Sequence, residues 1–326
     1  MPTHHTLDDQ LTTPMNSPAS QHADDHGFVD LQVNGYAGVD FNGDQLAADD
    51  LETACQAMRA DGVARFLATI ITDDLDVMAA RARRIANSMV GERLASSMVA
   101  GIHFEGPFIS HEPGYVGAHP AQATRAATVD AAAKLLDAGG GLVRLVTLAP
   151  EQDADGRVTA WLADRGVVVS AGHCNPTLEQ LARSIDAGLS MFTHLGNGCP
   201  LTMHRHDNII QRALSLADKL WVCFIADGVH IPFVALQNYL RLVGPERAIV
   251  VSDAISAAGK GPGVYRLAGQ EVVVDDQLAT WAADRSHLVG SACTLRQMAD
   301  NLRTKLALPA DVIRRLTTEN PLAALP

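Results

Sequence analysis

Short apolar runs alternate along the chain with segments whose apolar residues repeat every three or four positions. Runs rich in valine, isoleucine and leucine are typical of β-strands buried on both faces. The three- and four-residue repeat is typical of helices that bury one face. Eight strands are predicted, at residues 28–35, 63–69, 98–106, 142–150, 166–170, 189–193, 220–228 and 247–254.

The predicted helices fall mostly between these strands. They lie at residues 46–60, 75–89, 129–138, 176–187, 294–306 and 310–317. A strand–helix–strand unit of this length places its two strands in parallel. Eight such strands without a break in composition predict an α/β fold of the (β/α)8 TIM-barrel type, in which residues 27–326 form one catalytic barrel. A doubly wound open sheet is the alternative, but no GxGxxG motif follows the first strand.

The first 26 residues differ in composition from the rest of the chain, because they contain no aromatic residue and no apolar run. We expect a disordered N-terminal tail there, and neither a signal peptide nor, anywhere in the chain, a membrane-spanning helix. The five cysteines are scattered without a CxxC motif, which suits a reducing cytosol. The sequence therefore predicts a cytoplasmic protein.

Composition narrows the class of partner. Hydrophobic residues make up 47% of the chain and charged residues 19%, which is enough for a sizeable core. A net charge of −12 argues against nucleic acid or an anionic membrane as the main partner. A small molecule is the expected ligand, and an anionic one would need its own local cluster of cations.

Residues with metal-binding chemistry occupy the ends of several predicted strands. Glu105 ends the third strand, His173 follows the fifth and His194 follows the sixth. Carboxyl ends of parallel strands meet at one rim of a barrel, so these side chains are expected to converge. One glutamate and two histidines leave a coordination position open, as in catalytic zinc sites. A lone histidine more often caps a buried strand, but a pair at equivalent positions of successive strands favours a metal site.

Asp253 is the candidate acid/base. It ends the eighth predicted strand in the sequence VVSDA. A zinc ion lowers the pKa of a water molecule bound to it, and a nearby carboxylate can then accept a proton from that water. Considered alone, an aspartate at this position more often caps the following helix. Cys174 and Cys199 adjoin the histidine motifs, but an oxygen and nitrogen ligand set fits hydrolysis better.

Seven motifs occur in a fixed order along the chain. They are FVDLQVNGYAGVDFN, GIHFEGPFI, VSAGHCNPTLEQ, FTHLGNGCP, FIADGVHI, VSDAISAAG and LVGSACTL. Together they resemble the N-acetylglucosamine-6-phosphate deacetylase family of the amidohydrolase superfamily, from residue 28 to the end of the chain. One motif such as HFEGP is moderately specific, whereas the ordered set is strong.

The resemblance implies metal-dependent hydrolysis of the N-acetyl group of N-acetylglucosamine 6-phosphate, giving glucosamine 6-phosphate and acetate in amino-sugar catabolism. It implies zinc on Glu105, His173 and His194, with Asp253 as the acid/base. The implied substrate contacts are Ala118, His119, Asn197, Gly198, Arg205, Asp227, His230, Leu288, Val289 and Gly290. At the position of Arg205 the family places a phosphate-binding arginine that reaches into the neighbouring subunit's site, which implies a homodimer. A solvated basic loop, with His204 and His206 beside Arg205, is an equally open interpretation.

The chain departs from many amidohydrolases at one place, where it resembles a one-metal branch of the family with the same Gln-x-Asn pattern, and it departs from the family at two further places. Many amidohydrolases begin the barrel with His-x-His, but this chain has Gln32 and Asn34, which are poor zinc ligands, so we expect one metal ion per subunit. Family members usually carry a small β-sandwich built from both chain ends. Neither end shows it here, so we expect that domain to be absent. HLGNG replaces the family's HLYNAM, which predicts a looser backbone beside the sugar and leaves the exact substrate open.

Two other functions remain open on this evidence. One is an amidohydrolase that acts on another N-acyl amino sugar or on a cyclic amide. The other is a barrel that binds sugar phosphates without catalysis. Presence of the three ligands together with Asp253 counts against the second, because binding alone does not need a base.

Overall fold

The computed structural model describes residues 27–91 and 93–326, and all eight predicted barrel strands are present. The predicted disordered tail lies outside the described residues and stays a prediction. In chain order the strands are β1 (Phe28–Val33), β2 (Gly35–Tyr36), β3 (Val39–Asp40), β4 (Val63–Ile71), β5 (Val99–Glu105), β6 (Val143–Leu148), β7 (Val168–Ala171), β8 (Leu189–Phe192), β9 (Trp221–Phe224), β10 (Ala248–Val250), β11 (Gly263–Leu267), β12 (Gln270–Val274) and β13 (Thr280–Ala282).

Eight of these strands form one parallel sheet in the order β1-β4-β5-β6-β7-β8-β9-β10. The two outer strands meet just beyond β10, where an isolated parallel bridge joins Val33 to Ala254. There the Asn34 N–H donates to the Ala254 carbonyl at 2.7 Å. The sheet is therefore a nearly closed barrel, and the predicted TIM-like fold is confirmed.

Helices alternate with the barrel strands. They are α1 (Ala48–Ala60), α2 (Leu75–Ser88), α3 (Leu94–Met98), α4 (Val129–Ala138), α5 (Arg157–Ala163), α6 (Leu178–Asp186), α7 (Ile209–Leu214), α8 (Phe233–Val243), α9 (Leu295–Lys305), α10 (Ala310–Arg314) and α11 (Asn320–Ala324). Capping boxes start two of them, with Thr177 before α6 and Thr294 before α9. The predicted last helix differs, because a π-helix over Arg315–Glu319 separates α10 from α11. No helix among the described residues is both long enough and apolar enough to cross a membrane.

A hydrogen-bonded polar layer crosses the interior of the barrel. His103 Nε2 lies 2.8 Å from Thr147 Oγ1, and Thr147 Oγ1 lies 2.7 Å from Thr193 Oγ1. The series of hydrogen bonds continues from Thr193 to Ser170 on one side and from His103 to Thr69 on the other. All five residues are buried. Burial lowers the pKa of His103 to about 4, so this ring is neutral. The layer supports the site, because Thr193 directly precedes His194 and His103 shares a strand with Glu105.

A three-stranded antiparallel sheet, β11–β12–β13, lies between β10 and α9 in the chain and was not predicted. Ala268 and Gly269 form its first turn with φ of +49° and +81°. Positive φ at both positions of a two-residue loop matches the twist of a β-hairpin. Leu267 and Trp281 of this sheet reach the cavity at the barrel mouth.

Candidate active site

The three predicted metal ligands meet at the carboxyl rim of the barrel. Glu105 ends β5, while His173 and His194 lie just beyond β7 and β8. Glu105 Oε1 lies 2.9 Å from His194 Nε2 and 3.2 Å from His173 Nε2. One ligand atom from each residue falls within 4.8 Å of the other two, and all three residues are buried. The three residues that were predicted to converge at the carboxyl ends of the strands therefore lie together.

The backbone turns sharply at His173, His194 and Asp253, which lie just beyond β7, β8 and β10. His173, His194 and Asp253 adopt φ of +50°, +30° and +49°, in the left-handed region that side chains with a Cβ normally avoid. Such conformations cost on the order of 1–3 kcal/mol each and concentrate at functional sites. The turns bring all three side chains to the same cavity.

The donor set fits a divalent cation. His173 Nδ1 lies 2.9 Å from the Tyr115 carbonyl oxygen, which can only accept a hydrogen bond. The proton of a neutral His173 ring is therefore on Nδ1, and its Nε2 presents a lone pair. That lone pair faces the Glu105 carboxylate at 3.2 Å. A carboxylate oxygen and imidazole nitrogens at such distances suit zinc or a similar first-row ion.

His119 also packs against this set. Its Nε2 lies 3.2 Å from His173 Nε2 and 4.0 Å from Glu105 Oε2. Burial and the neighbouring His173 lower the pKa of His119 to about 3, so the ring is neutral. Burial disfavours the charge on Glu105, but the His194 ring beside it holds the pKa of this carboxyl well below its usual range. The centre therefore contains one carboxylate surrounded by imidazoles.

Gln32 and Asn34 hold Asp253 in place. Gln32 Nε2 donates to Glu105 Oε1 and to Asp253 Oδ1, both at 3.0 Å, and Asn34 Nδ2 donates to the same Asp253 oxygen at 2.7 Å. Both amide nitrogens are thus occupied by carboxylates. Burial and the negative charge of Glu105 raise the pKa of Asp253 to about 6.

Two glycines allow close packing around His173. A Cβ on Gly198 would lie 2.9 Å from His173 Nδ1, and one on Gly117 would lie 2.9 Å from His173 Cε1. Both glycines have positive φ, at +60° and +59°. Only glycine satisfies both conditions, so the HLGNG motif supports a metal ligand as well as the cavity wall.

The ligands and Asp253 line one cavity of about 550 Å³. Seven of the ten implied substrate contacts also line it, namely Ala118, His119, Asn197, Gly198, His230, Leu288 and Gly290. The other three do not. Arg205 is exposed outside the cavity, Val289 is buried, and Asp227 lies against His230.

Several wall residues were missed by the sequence reasoning. Ile71 at the end of β4, Leu267 and Trp281 of the small sheet, and the exposed Leu201 all line the cavity. The alternating pattern around Ala268–Gly269 is the signal that predicts the hairpin of β11 and β12, which carries Leu267. No lysine or arginine of the described chain lines this cavity.

Comparison with known proteins identifies relatives over most of the chain, although no family model matches it. The chain is 30% identical over 303 residues to N-acetylglucosamine-6-phosphate deacetylase of Bacillus subtilis (strain 168), covering 90% of this chain and 73% of that protein. The bovine (Bos taurus) N-acetylglucosamine-6-phosphate deacetylase is 35% identical over 277 residues, which cover 81% of this chain and 65% of the relative. An N-acetylgalactosamine-6-phosphate deacetylase of Shewanella sp. (strain ANA-3) is 31% identical over 295 residues, with coverage of 90% and 72%.

A solved structure shows the same architecture. It is a mutant N-acetyl-D-glucosamine-6-phosphate deacetylase from Mycobacterium smegmatis in complex with N-acetyl-D-glucosamine-6-phosphate, with a TM-score of 0.82 and 30% identity. The match covers 92% of this chain and 77% of that one.

The parallel barrel has eight strands, and its rim carries a glutamate and two histidines with a buried aspartate beside them. These features define a barrel of the amidohydrolase type. The similarity to the Bacillus subtilis protein then specifies the family. The chain belongs to the N-acetylglucosamine-6-phosphate deacetylase family, which confirms the resemblance of its motifs. It spans about two thirds of the bovine relative, 65% of that protein's length.

Proposed function

We propose that this protein hydrolyses the N-acetyl group of N-acetylglucosamine 6-phosphate to glucosamine 6-phosphate and acetate, with zinc as its metal ion. The observation that carries this proposal is the shared cavity, since a three-residue ligand set and a separate carboxylate open into the same space. The relatives named above support the substrate class. Metal binding alone would not need the second carboxylate.

Glu105, His173 and His194 would hold one ion per chain. A divalent ion supplies Lewis acidity, which polarises an amide carbonyl and acidifies water. Asp253 accepts the proton of the attacking water as the water oxygen bonds to the acyl carbon. Asp253 then gives that proton to the departing nitrogen as the carbon–nitrogen bond breaks. Water and amide are thereby converted to the amine and acetic acid, which releases its proton to give acetate, so that all atoms are accounted for.

The amides of Gln32 and Asn34 fix which oxygen of Asp253 acts. Both donate to Oδ1, so Oδ2 is left for proton transfer. The pKa of about 6 that burial gives Asp253 suits a group that must accept and donate a proton near neutral pH. The substrate contacts that line the cavity, among them His119, Asn197 and His230, orient the sugar.

The phosphate needs a cation that the cavity of this chain does not supply. The chain has a net charge of −12, and none of its described lysines or arginines lines the cavity. We propose a homodimer in which the partner subunit's Arg205 binds the phosphate, because a guanidinium matches phosphate oxygens in a bidentate fork. Arg205→Ala should weaken use of the phosphorylated sugar and barely change slow turnover of the unphosphorylated one. Unchanged preference for phosphate in this variant would contradict the role of Arg205.

A mixing experiment tests the dimer arrangement. In this proposal Arg205→Ala protein uses the phosphorylated sugar weakly, and Asp253→Asn protein turns it over very slowly. After subunit exchange, hybrid dimers contain one site with both residues intact, so activity should return. Exchange without recovery would mean that Arg205 serves the site of its own chain.

N-acetylgalactosamine 6-phosphate is the second candidate substrate, because the Shewanella relative is named for it at 31% identity. Acetate release is measured from N-acetylglucosamine and N-acetylgalactosamine, each with and without the 6-phosphate, in the presence of zinc. The fastest release is expected from N-acetylglucosamine 6-phosphate, and chelation should abolish it. Asp253→Asn protein is the control for contaminating activity. Absence of acetate release from all four sugars by the zinc-loaded protein would overturn the proposal.

The compartment belongs to the same proposal. All five cysteines are unpaired, and four of them are buried. Free thiols suit a reducing compartment. We therefore place the reaction in the cytosol, where sugar phosphates are metabolised.

A further inference from the structure

A buried carboxylate stands behind one histidine of the cavity wall. Asp227 and His230 lie beyond β9 in the sequence DGVH. Asp227 Oδ2 lies 2.6 Å from His230 Nδ1, and the two side chains are only 4% and 6% exposed. His230 lines the cavity and Asp227 does not. Asp227 can therefore act on a bound ligand through the imidazole of His230.

Both carboxylate oxygens of Asp227 accept hydrogen bonds from neighbouring groups. Its Oδ1 accepts the backbone N–H groups of Val229 at 2.9 Å and His230 at 2.8 Å. Its Oδ2 accepts from His230 Nδ1 and, at 3.4 Å, from the Ser291 hydroxyl. Burial disfavours the charge, but His230 and the backbone donors hold the pKa of Asp227 below its usual value. An ionised carboxylate only accepts, so the proton between the two side chains is on His230 Nδ1.

We infer that Asp227 is a positioning residue that places a proton on His230 Nδ1, so that the neutral form of the ring offers Nε2 to the cavity as a hydrogen-bond acceptor for a sugar hydroxyl. This role differs from the direct substrate contact that the motif resemblance implied for Asp227. The identity of the ligand rests on the proposed function. The tautomer does not, because it follows from the hydrogen bonds of Asp227 alone.

Asp227→Asn provides a specific perturbation. The backbone N–H groups of Val229 and His230 cannot change their protonation, so the amide oxygen must stay where Oδ1 is now. The amide NH2 then faces His230 Nδ1, which becomes the acceptor. The proton must move to Nε2, and the cavity gains a donor where it had an acceptor. Shape and volume barely change.

The first measurement reads the tautomer directly. Zinc-loaded protein labelled with ¹⁵N-histidine is studied by long-range ¹H–¹⁵N correlation at pH 8, with the His230 signals assigned by their loss in His230→Gln. The wild-type protein should carry the proton on Nδ1 and Asp227→Asn should carry it on Nε2. Asp153→Asn is the matched control, because Asp153 is buried and accepts the backbone N–H groups of Val158 and Thr159 but touches no histidine.

The second measurement is kinetic. Carboxylate partners of functional histidines typically contribute about 10–100-fold, so kcat/KM of Asp227→Asn should fall by that factor, mainly through KM. His230→Gln should lose as much, and the double variant little more, because both changes remove one contact. Asp153→Asn should lose stability without either effect.

The outcomes separate cleanly. A wild-type His230 protonated on Nε2, or an Asp227→Asn protein that keeps the proton on Nδ1, would overturn the inference whatever the enzyme's substrate is. A tautomer switch with kcat/KM within twofold of wild type would refute the sugar contact. Failure of the wild-type protein to release acetate would count against the proposed function and leave the tautomer result standing.

Discussion

Replacement of Gly198 by alanine should weaken metal binding by displacing His173. The new Cβ would lie 2.9 Å from Nδ1 and 3.0 Å from Cε1 of the ring, whereas ordinary contact begins at 3.4 Å. The ring must therefore move by about 0.5 Å, and Gly117 restricts it on another side. The hydrogen bond from Nδ1 to the Tyr115 carbonyl has to distort with it.

The size of the effect follows from the tolerance of metal sites. Ligand distances in such sites hold to about 0.2 Å, so a shift of about 0.5 Å takes Nε2 out of range unless the ion moves as well. Loss of ligand orientation typically lowers metal affinity about 10–100-fold. Alanine at a φ of +60° adds a backbone cost of about 1–2 kcal/mol, which acts on folding in general.

Gly166→Ala is the matched control for that backbone cost. Gly166 has a φ of +72°, and no atom lies within 4 Å of a Cβ built there. Both variants should lose similar stability in urea unfolding of the metal-free proteins, but only Gly198→Ala should lose zinc affinity in competition with a chromophoric chelator. Equal zinc affinity of the two variants would refute the packing argument.

Three further predictions test other parts of the site. Asp253→Asn keeps the oxygen that accepts both amides, so zinc content should stay unchanged while kcat for acetate release falls about 10²–10⁴-fold; near-normal turnover would return Asp253 to a capping role. Burial raises the pKa of Asp30 from 3.8 to about 7, so the folded state retains a proton that the unfolded chain releases, and stability falls as pH rises from about 4 to about 7. Asp30→Asn should remove this decline, on the order of 3–4 kcal/mol between urea unfolding at pH 4 and pH 7.5, and parallel pH profiles of the two proteins would contradict it. Thr147→Val leaves His103 Nε2 without its partner and should cost about 1–3 kcal/mol in the same assay, whereas the exposed Thr304→Val should cost little.

The barrel could be predicted because its strands are buried on both faces and read as continuous apolar runs. The run at residues 63–69 became β4 (Val63–Ile71), and that at residues 189–193 became β8 (Leu189–Phe192). The convergence of the candidate metal ligands could be predicted from one topological rule, that parallel strands end at the same rim. His173 and His194 were found by position, without any knowledge of side-chain direction.

The small sheet could not be predicted in the same way. Its strands are short and partly exposed, as Val264 at 64% exposure illustrates, and the three residues Val272–Val274 are too short an apolar run to mark the sheet. Helix α8 (Phe233–Val243) was missed because Val234 and Leu242 are exposed and blur its amphipathic pattern. The role of Asp227 could not be predicted from the sequence either. The conformation of the loop decides whether its side chain faces the cavity or His230.

The geometry of the ligand set is fixed by the chain itself. Left-handed turns after the strands set the directions of His173 and His194, at an energetic cost that the large barrel core offsets. The Tyr115 carbonyl then fixes the His173 ring, and one amide, from Gln32, links Glu105 to Asp253 across the mouth. These restraints are contacts between protein groups, so the candidate donor atoms and Asp253 are oriented before any ligand arrives. A site held in this way spends little binding free energy on reorganisation, which the proposed hydrolysis needs because a metal ion, the attacking water and the carboxylate would have to act in one step.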